Sequence, residues 1–229
     1  MPFTSGEFVT IDYTARRASD NSIVYTTMEK TAKDEGVFEE GSKYGPQLVV
    51  IGKNNAIKGV EDAVKEMSAS QQKTITIEPK DAFGDRSEDL VRVMKLSDFR
   101  DREIEPAPGM RVNIDGTAVT VKSINSARVV VDANHPLAGE KLVYDIKVVK
   151  KLDSDTEKVD AIADMYALKP DNAKQENAAV RLVFGTKVNK DADYFINKSA
   201  MVSAIFRFMD EVKNVSVEEQ YSREEKKEE

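Results

Sequence analysis

The chain holds one histidine, no cysteine, and 41 Asp and Glu against 34 Lys and Arg, and this inventory limits the chemistry it can do. Without cysteine there is no thiolate nucleophile, no disulfide framework and no cysteine-based metal site. No glycine-rich phosphate loop follows a strand and no His/Asp/Glu group has metal-ligand spacing, so hydrolase, kinase and zinc-enzyme readings find no support. No metal or other cofactor is expected. Most carboxylates read as solvated faces. The lone histidine sits in Asn134-His135-Pro136-Leu137-Ala138-Gly139, where a hydrogen-bonded hinge role and a reactive role are both open. The net charge of −7 disfavours nucleic acid and anionic membrane, because a polyanion needs a positive surface to release its counterions. No apolar run approaches the ~20 residues of a membrane span, and the first residues lack a basic, then apolar, leader. A cytoplasmic protein with no membrane partner is the expectation.

The elements that must position these groups follow from periodicity. Phe8 to Thr14 alternates, with Val9, Ile11 and Tyr13 on one face and Thr10, Asp12 and Thr14 on the other. Ile23 to Thr27 reads as a strand after the Asp20-Asn21-Ser22 turn, and Met28 to Tyr44 as a long polar loop. Leu48 to Ile51 is a buried strand ending at Gly52. Val60, Ala63, Val64 and Met67 mark one face of a helix that Asn54 or Asn55 would cap. Lys73 to Ile77 is a strand, and Asp81 to Gly84 closes the segment. The character then changes. Leu90, Val91, Val93, Met94, Leu96 and Phe99 form an apolar cluster ahead of Pro106-Ala107-Pro108-Gly109, and a β-meander follows through Val112, Ile114, Val119, Val121 and Val129 to Val131. Leu142, Tyr144, Ile146 and Val148 restart a strand. Past Asp153, the stripes Val159/Ile162/Ala163/Tyr166 and Met201/Ile205/Phe208/Val212 are helical, while Val180 to Phe184 and Val215/Val217 are strands. Residues 153–229 hold 12 Lys and Arg against 17 Asp and Glu, hence −5 of the total. Glu224 to Glu229 reads as a disordered charged tail.

Four stretches carry a resemblance: Ile11-Asp12-Tyr13-Thr14, Val50-Ile51-Gly52 through Ala56-Ile57-Lys58-Gly59-Val60-Glu61, Lys80-Asp81-Ala82-Phe83-Gly84, and Asn134 to Gly139. Together they resemble FKBP-type peptidyl-prolyl isomerases, and most of all the SlyD-like and archaeal long-type members. That resemblance implies an α+β fold: a bent antiparallel sheet around a short helix (residues 1–85 and 133–152), a small β-rich insert-in-flap domain (86–132) that captures unfolded chain, and a C-terminal α+β domain (153–229) associated with dimerisation. It implies a folding helper whose partners are unfolded or partly folded proline-containing polypeptides. It assigns catalytic positions to Tyr13, Ile57, Phe83, Tyr144 and His135, and substrate contacts to Val24, Tyr25, Ala56, Val60 and Leu137. Leu90, Val93, Met94, Leu96 and Phe99, with Val112 and Ile114, are candidates for the capturing surface or for the insert's own core. Two departures point to a reduced rate: Phe83 stands where the family usually has Tyr, and Val24-Tyr25 where it has Phe-Asp. A holdase with a decayed isomerase site is the alternative. Metal delivery, as in some bacterial relatives, needs a tail rich in His and Cys, and Glu-Glu-Lys-Lys-Glu-Glu is not one.

Overall fold

A computed structural model describes residues 2–186 and 189–222. The expected charged tail lies outside the described residues. In chain order the elements are β1 (Phe8–Arg17), β2 (Ile23–Thr26), α1 (Glu29–Asp34), β3 (Gln47–Val50), α2 (Lys58–Glu66), β4 (Gln72–Ile77), β5 (Val91–Lys95), α3 (Leu96–Arg100), β6 (Arg111–Ile114), β7 (Thr117–Asn125), β8 (Arg128–Asp132), β9 (Leu142–Leu152), α4 (Asp155–Met165), β10 (Asn172–Glu176), β11 (Ala179–Phe184), α5 (Ala192–Phe208) and β12 (Asn214–Glu219). The described residues form a mixed α+β fold with three sheets. Contacts divide it into two units: residues 2–76 with the described part of 143–229, and Ile77–Leu142.

In the first unit a five-stranded sheet runs β2-β1-β9-β4, with β3 also on β1. Strands β2 and β3 are antiparallel to β1, with Phe8 opposite Val50 and Thr14 opposite Thr26. The alternation of β1 holds: Val9 and Ile11 are buried, as are Leu142, Tyr144, Ile146 and Val148 of β9. The other face of β1 is not simply polar. Phe8 joins Leu48 and Val50 in a core completed by Val159 and Ile162 of α4 and Met201 and Ile205 of α5. Residues 153–222 thus cover the second face of this sheet, which a strand-by-strand reading cannot reveal. Thr14, also buried, shares a 2.9 Å hydrogen bond with the Thr26 hydroxyl, as a buried hydroxyl must.

The third sheet, β10-β11-β12, also belongs to this unit; β11 and β12 run parallel. A parallel pair needs a long crossover, and α5 supplies it. Strand β10, Asn172 to Glu176, escapes a hydropathy reading because no large apolar residue marks it. The polar stretch after Met28 likewise contains α1, anchored by the buried Ala32.

The second unit carries the four-stranded sheet β5-β8-β7-β6 around Phe99, Ile114, Val119, Val121, Val129 and Val131. Among the described residues no helix is long and apolar enough to cross a membrane.

Candidate functional site

Around Tyr13 three tyrosines meet. The period of β1 turns Tyr13 to the same side as Val9 and Ile11, and the matching period of β9 brings Tyr144 beside it. Their ring centroids are 5.3 Å apart, and the ring of Tyr25 on β2 lies 5.6 Å from that of Tyr13. Both pairs are tilted, an arrangement that suits the quadrupoles of aromatic rings. Tyr144 is only 5 % exposed, and burial pushes its hydroxyl up to about 12. Burial also raises Tyr13 and Tyr25 above the usual phenol range. All three phenols are therefore neutral at physiological pH, and the cluster offers aromatic faces with a few hydroxyls. The hydroxyls are ordered by one side chain. Tyr13 Oη donates to Gln47 Oε1 (3.1 Å), and Gln47 Nε2 donates to Tyr25 Oη (2.9 Å).

Ala56 and Ile57 lie on the connection from β3 to α2, both half-buried, and Ile57 is the N-cap residue of α2 with no side-chain cap bond. The expected cap from Asn54 or Asn55 is not made. Asn55 instead bonds β3, accepting from Val50 N (2.8 Å) and donating to the Leu48 carbonyl (2.9 Å). The loop is held from within the helix. Glu61, nearly buried, accepts from Gly52 N (2.6 Å) and Asn54 N (3.1 Å). Gly52 has φ +83°, and an added Cβ would come within 2.4 Å of Ser5 Oγ, so a side chain here meets both strain and a clash. Val60, 3 % exposed, sits in the core, while Val24 is half-buried on β2. Replacing Glu61 by Leu removes the acceptor of two loop N–H groups, one bond being charge-assisted at short range. We expect a loss of about 2–4 kcal/mol in urea unfolding, together with a lower kcat/KM as Ala56 and Ile57 shift.

In the second unit Phe83 and His135 stack face to face, with centroids 4.1 Å apart and planes within 2°. His135 Nδ1 accepts from Leu137 N (3.1 Å), which places the neutral ring's proton on Nε2. Desolvation and the charge of Arg111 both disfavour the imidazolium. His135 is the only histidine, so its ring protons are unambiguous in a proton NMR titration; the midpoint should fall below the ordinary value near ~6.5. A midpoint above it would mean that a carboxylate, not Arg111, dominates the site.

The turn bearing His135 is tied to the start of the insert. Asn134, buried, accepts from Ser87 N (2.9 Å) and donates to the Ser87 carbonyl (2.8 Å) and to Asp132 Oδ1 (2.7 Å). Asp132 also pairs with Arg86. Burial opposes the Asp132 charge, but its bonds from Asn134 and Arg86 more than offset that, and its carboxyl is held below the usual range. A polar clamp thus joins the two chain passages, 86–87 and 132–134.

The five insert positions separate into three groups. Phe99, fully buried, is at the centre of the insert's core, with Ile114 beside it. Of the two roles open for Phe99, its burial matches the insert's own core. Met94, Leu96 and Val112 are half-buried against that core. Leu90 (40 % exposed) and Val93 (63 % exposed) face solvent. Val93 lies on β5, an edge strand of the sheet. Gln47, Glu61 and Asn134 are the residues that sequence reasoning did not single out for these tasks. Polar side chains that act on backbone or hydroxyl groups distant in the chain leave no periodic signal.

Among the described residues no group of three or more His, Asp or Glu could hold a metal ion. Residues 92–137 match the family "FKBP26, IF domain". The chain is 32% identical over 143 residues to the short-type peptidyl-prolyl cis-trans isomerase of Methanocaldococcus jannaschii, covering 62% of this chain and 90% of that protein. It is 32% identical over 133 residues to the FKBP-type peptidyl-prolyl cis-trans isomerase SlyD of Vibrio cholerae, covering 56% of this chain and 66% of that one. A third relative, the FKBP-type 16 kDa peptidyl-prolyl cis-trans isomerase of Escherichia coli, is 30% identical over 124 residues, 51% of this chain and 83% of its own length. With the tyrosine cluster, the loop before α2 and a separate insert unit in place, these similarities establish that the chain belongs to the FKBP-type peptidyl-prolyl cis-trans isomerases, in their SlyD-like branch with an insert-in-flap domain.

Proposed function

We propose that the chain turns X–Pro bonds of unfolded polypeptides at the tyrosine cluster and captures those polypeptides with its insert. Residues 1–85 with 133–152 form the isomerase domain in this reading, 86–132 the capturing insert and 153–229 a C-terminal domain. The observation that carries it is the cluster of Tyr13, Tyr25 and Tyr144, in which the Tyr25 and Tyr144 rings stand 5.6 and 5.3 Å from that of Tyr13 and the phenols are neutral. X–Pro isomerisation is a rotation, opposed by ~20 kcal/mol of lost amide resonance. No bond is cleaved. An aromatic wall that excludes water favours the twisted imide, whose charge separation is smaller, over either planar isomer, and so lowers the barrier by differential binding. Ala56, Ile57, Val60 and Val24 are assigned to substrate contact beside the rings, and the resemblance assigns the same role to Phe83, His135 and Leu137. For capture, the solvent-facing Leu90 and Val93, with the half-buried Met94 and Leu96, offer apolar surface and a sheet edge to an extended chain.

The test is a protease-free assay of cis-to-trans conversion in a short proline peptide, run beside a proline-limited refolding protein. Acceleration of both supports the reading. Suppressed aggregation with neither reaction accelerated would leave a holdase. The protein is expected to work in the cytoplasm. A homodimer through the C-terminal domain is part of the proposal, supported by Phe195, Ile196 and Phe206, which α5 exposes to solvent. Sedimentation of Ile196→Asp should show a monomer if that face pairs chains, and an unchanged species if it does not.

A further inference from the structure

We propose that a cleft between the α1–β3 connection and α4 is a second subsite, which takes the apolar residues flanking the proline of a client polypeptide. The proposal rests on the isomerase reading and extends it to the C-terminal segment. The cleft has a volume of about 370 Å³, and its apolar lining is Pro46, Leu48, Ala161 and Met165. A volume of this size suits a few side chains of a peptide.

Tyr25 is what joins the cleft to the site already described. It lines the cleft, and its ring stands 5.6 Å from that of Tyr13. Gln47, also in the lining, orders the proton traffic of the pair. The Tyr13 proton goes to Gln47 Oε1, and Gln47 Nε2 gives a proton to Tyr25 Oη. The Tyr25 proton then goes to the Lys43 carbonyl at 3.4 Å, much longer than the ~2.7–2.8 Å of a good O–H···O bond. A client carbonyl at normal distance would compete well for that proton. Tyr25 would thereby supply the hydroxyl donor that Phe83 lacks.

The occupant follows from the lining. Lys43 is the one lysine there, and it is paired with Asp164 at 2.5 Å; an anionic ligand would have to break that pair and face the Asp164 carboxylate. An apolar peptide segment meets no such cost. Strand addition to β3 is also blocked, because the Asn55 carboxamide already bonds Val50 N and the Leu48 carbonyl. The segment is therefore held by side-chain contacts and the Tyr25 hydroxyl.

The test uses the full chain and two fluorescein-labelled proline peptides, a tetrapeptide and an octapeptide with leucines flanking the proline. Anisotropy should give the octapeptide about fivefold tighter binding, the gain from burying one or two side chains. Met165 is 39 % exposed, so Met165→Glu and Met165→Ser should both fold, as thermal melts would verify. The octapeptide advantage should fall below about twofold in Met165→Glu and lie between in Met165→Ser. Benzoylphenylalanine in place of a flanking leucine should cross-link to α4. Equal binding of the two peptides by the wild type, an undiminished advantage in both variants, or cross-links only outside the cleft would each overturn the subsite. Failure of the isomerase reading is seen separately, as no accelerated rotation in either peptide, and these binding readouts do not depend on it.

Discussion

Removing residues 86–132 and joining Asp85 to Ala133 through a short Gly-Ser linker should lower the acceleration of proline-limited protein refolding by about ten- to a hundredfold. The reason is effective concentration. In the proposed capture, a client held on the insert would present its prolines to the isomerase domain at a local concentration of order mM, whereas a free client in a dilute assay is far below KM. A tetrapeptide has too little chain to engage the insert, so its kcat/KM should stay within about twofold of the full chain's. Arg86 and Asp132 are ion-paired, so the two ends of the excised segment are close and a short linker spans them. The buried core of the insert, Phe99 with Val121 and Val129, is contained within the excised segment. Equal loss in both assays would deny the insert its capturing role.

The second large effect is expected at Tyr144. Tyr144→Ala removes a buried ring in contact with Tyr13, at a cost of about 3–5 kcal/mol in unfolding free energy. It also takes away one wall of the proposed proline pocket. At a temperature where the variant is still folded by circular dichroism, kcat/KM for the tetrapeptide should fall at least about tenfold, corresponding to about 1.4 kcal/mol of transition-state stabilisation. Tyr144→Phe separates the two roles of the side chain, since it keeps the ring and loses a hydroxyl. It should retain most of the activity. A fully active Tyr144→Ala would remove the cluster from the catalytic account.

The two departures from the family pattern act differently in three dimensions. Phe83 keeps its ring but has no hydroxyl, and it stacks on His135, which makes His135 part of an aromatic surface and leaves its Nδ1 occupied by Leu137 N. Tyr25 replaces a carboxylate with a phenol that Gln47 connects to Tyr13. Phe83 thus offers a ring without a hydroxyl, while the Tyr25 hydroxyl is held in place by Gln47 of β3.

How much of this was legible beforehand depends on the range of the interaction. Strands β1, β4 and β9 and helix α2 could be read from the period of their apolar residues, and β3 from its continuous apolar run, which marks a strand buried on both faces. The expected break near Gly84 and resumption at Asn134 rest on a change of composition, whereas contacts divide the chain at Ile77 and Leu142. Strand β10 and helix α1 could not be read from hydropathy, since β10 buries no side chain fully and α1 buries only Ala32. Whether an apolar residue of the insert is core or surface was equally hidden. Phe99 and Val93 look alike in a sequence, and only the registry of β5 and α3 against the sheet buries the first and exposes the second.

By itself, then, the sequence supplied the four stretches whose resemblance implied X–Pro isomerisation and placed the chain in its family, and the periods of the strands and helices that carry them. It did so because residue types and local periods are properties of the chain alone. The tertiary structure decided which hydroxyls face one another, which side chain orders them, and what covers the second face of β1. Gln47, Asn134 and α4 reach their partners across 22 to 121 residues of chain, and only the packing of the folded chain brings groups so distant into hydrogen-bonding or van der Waals contact.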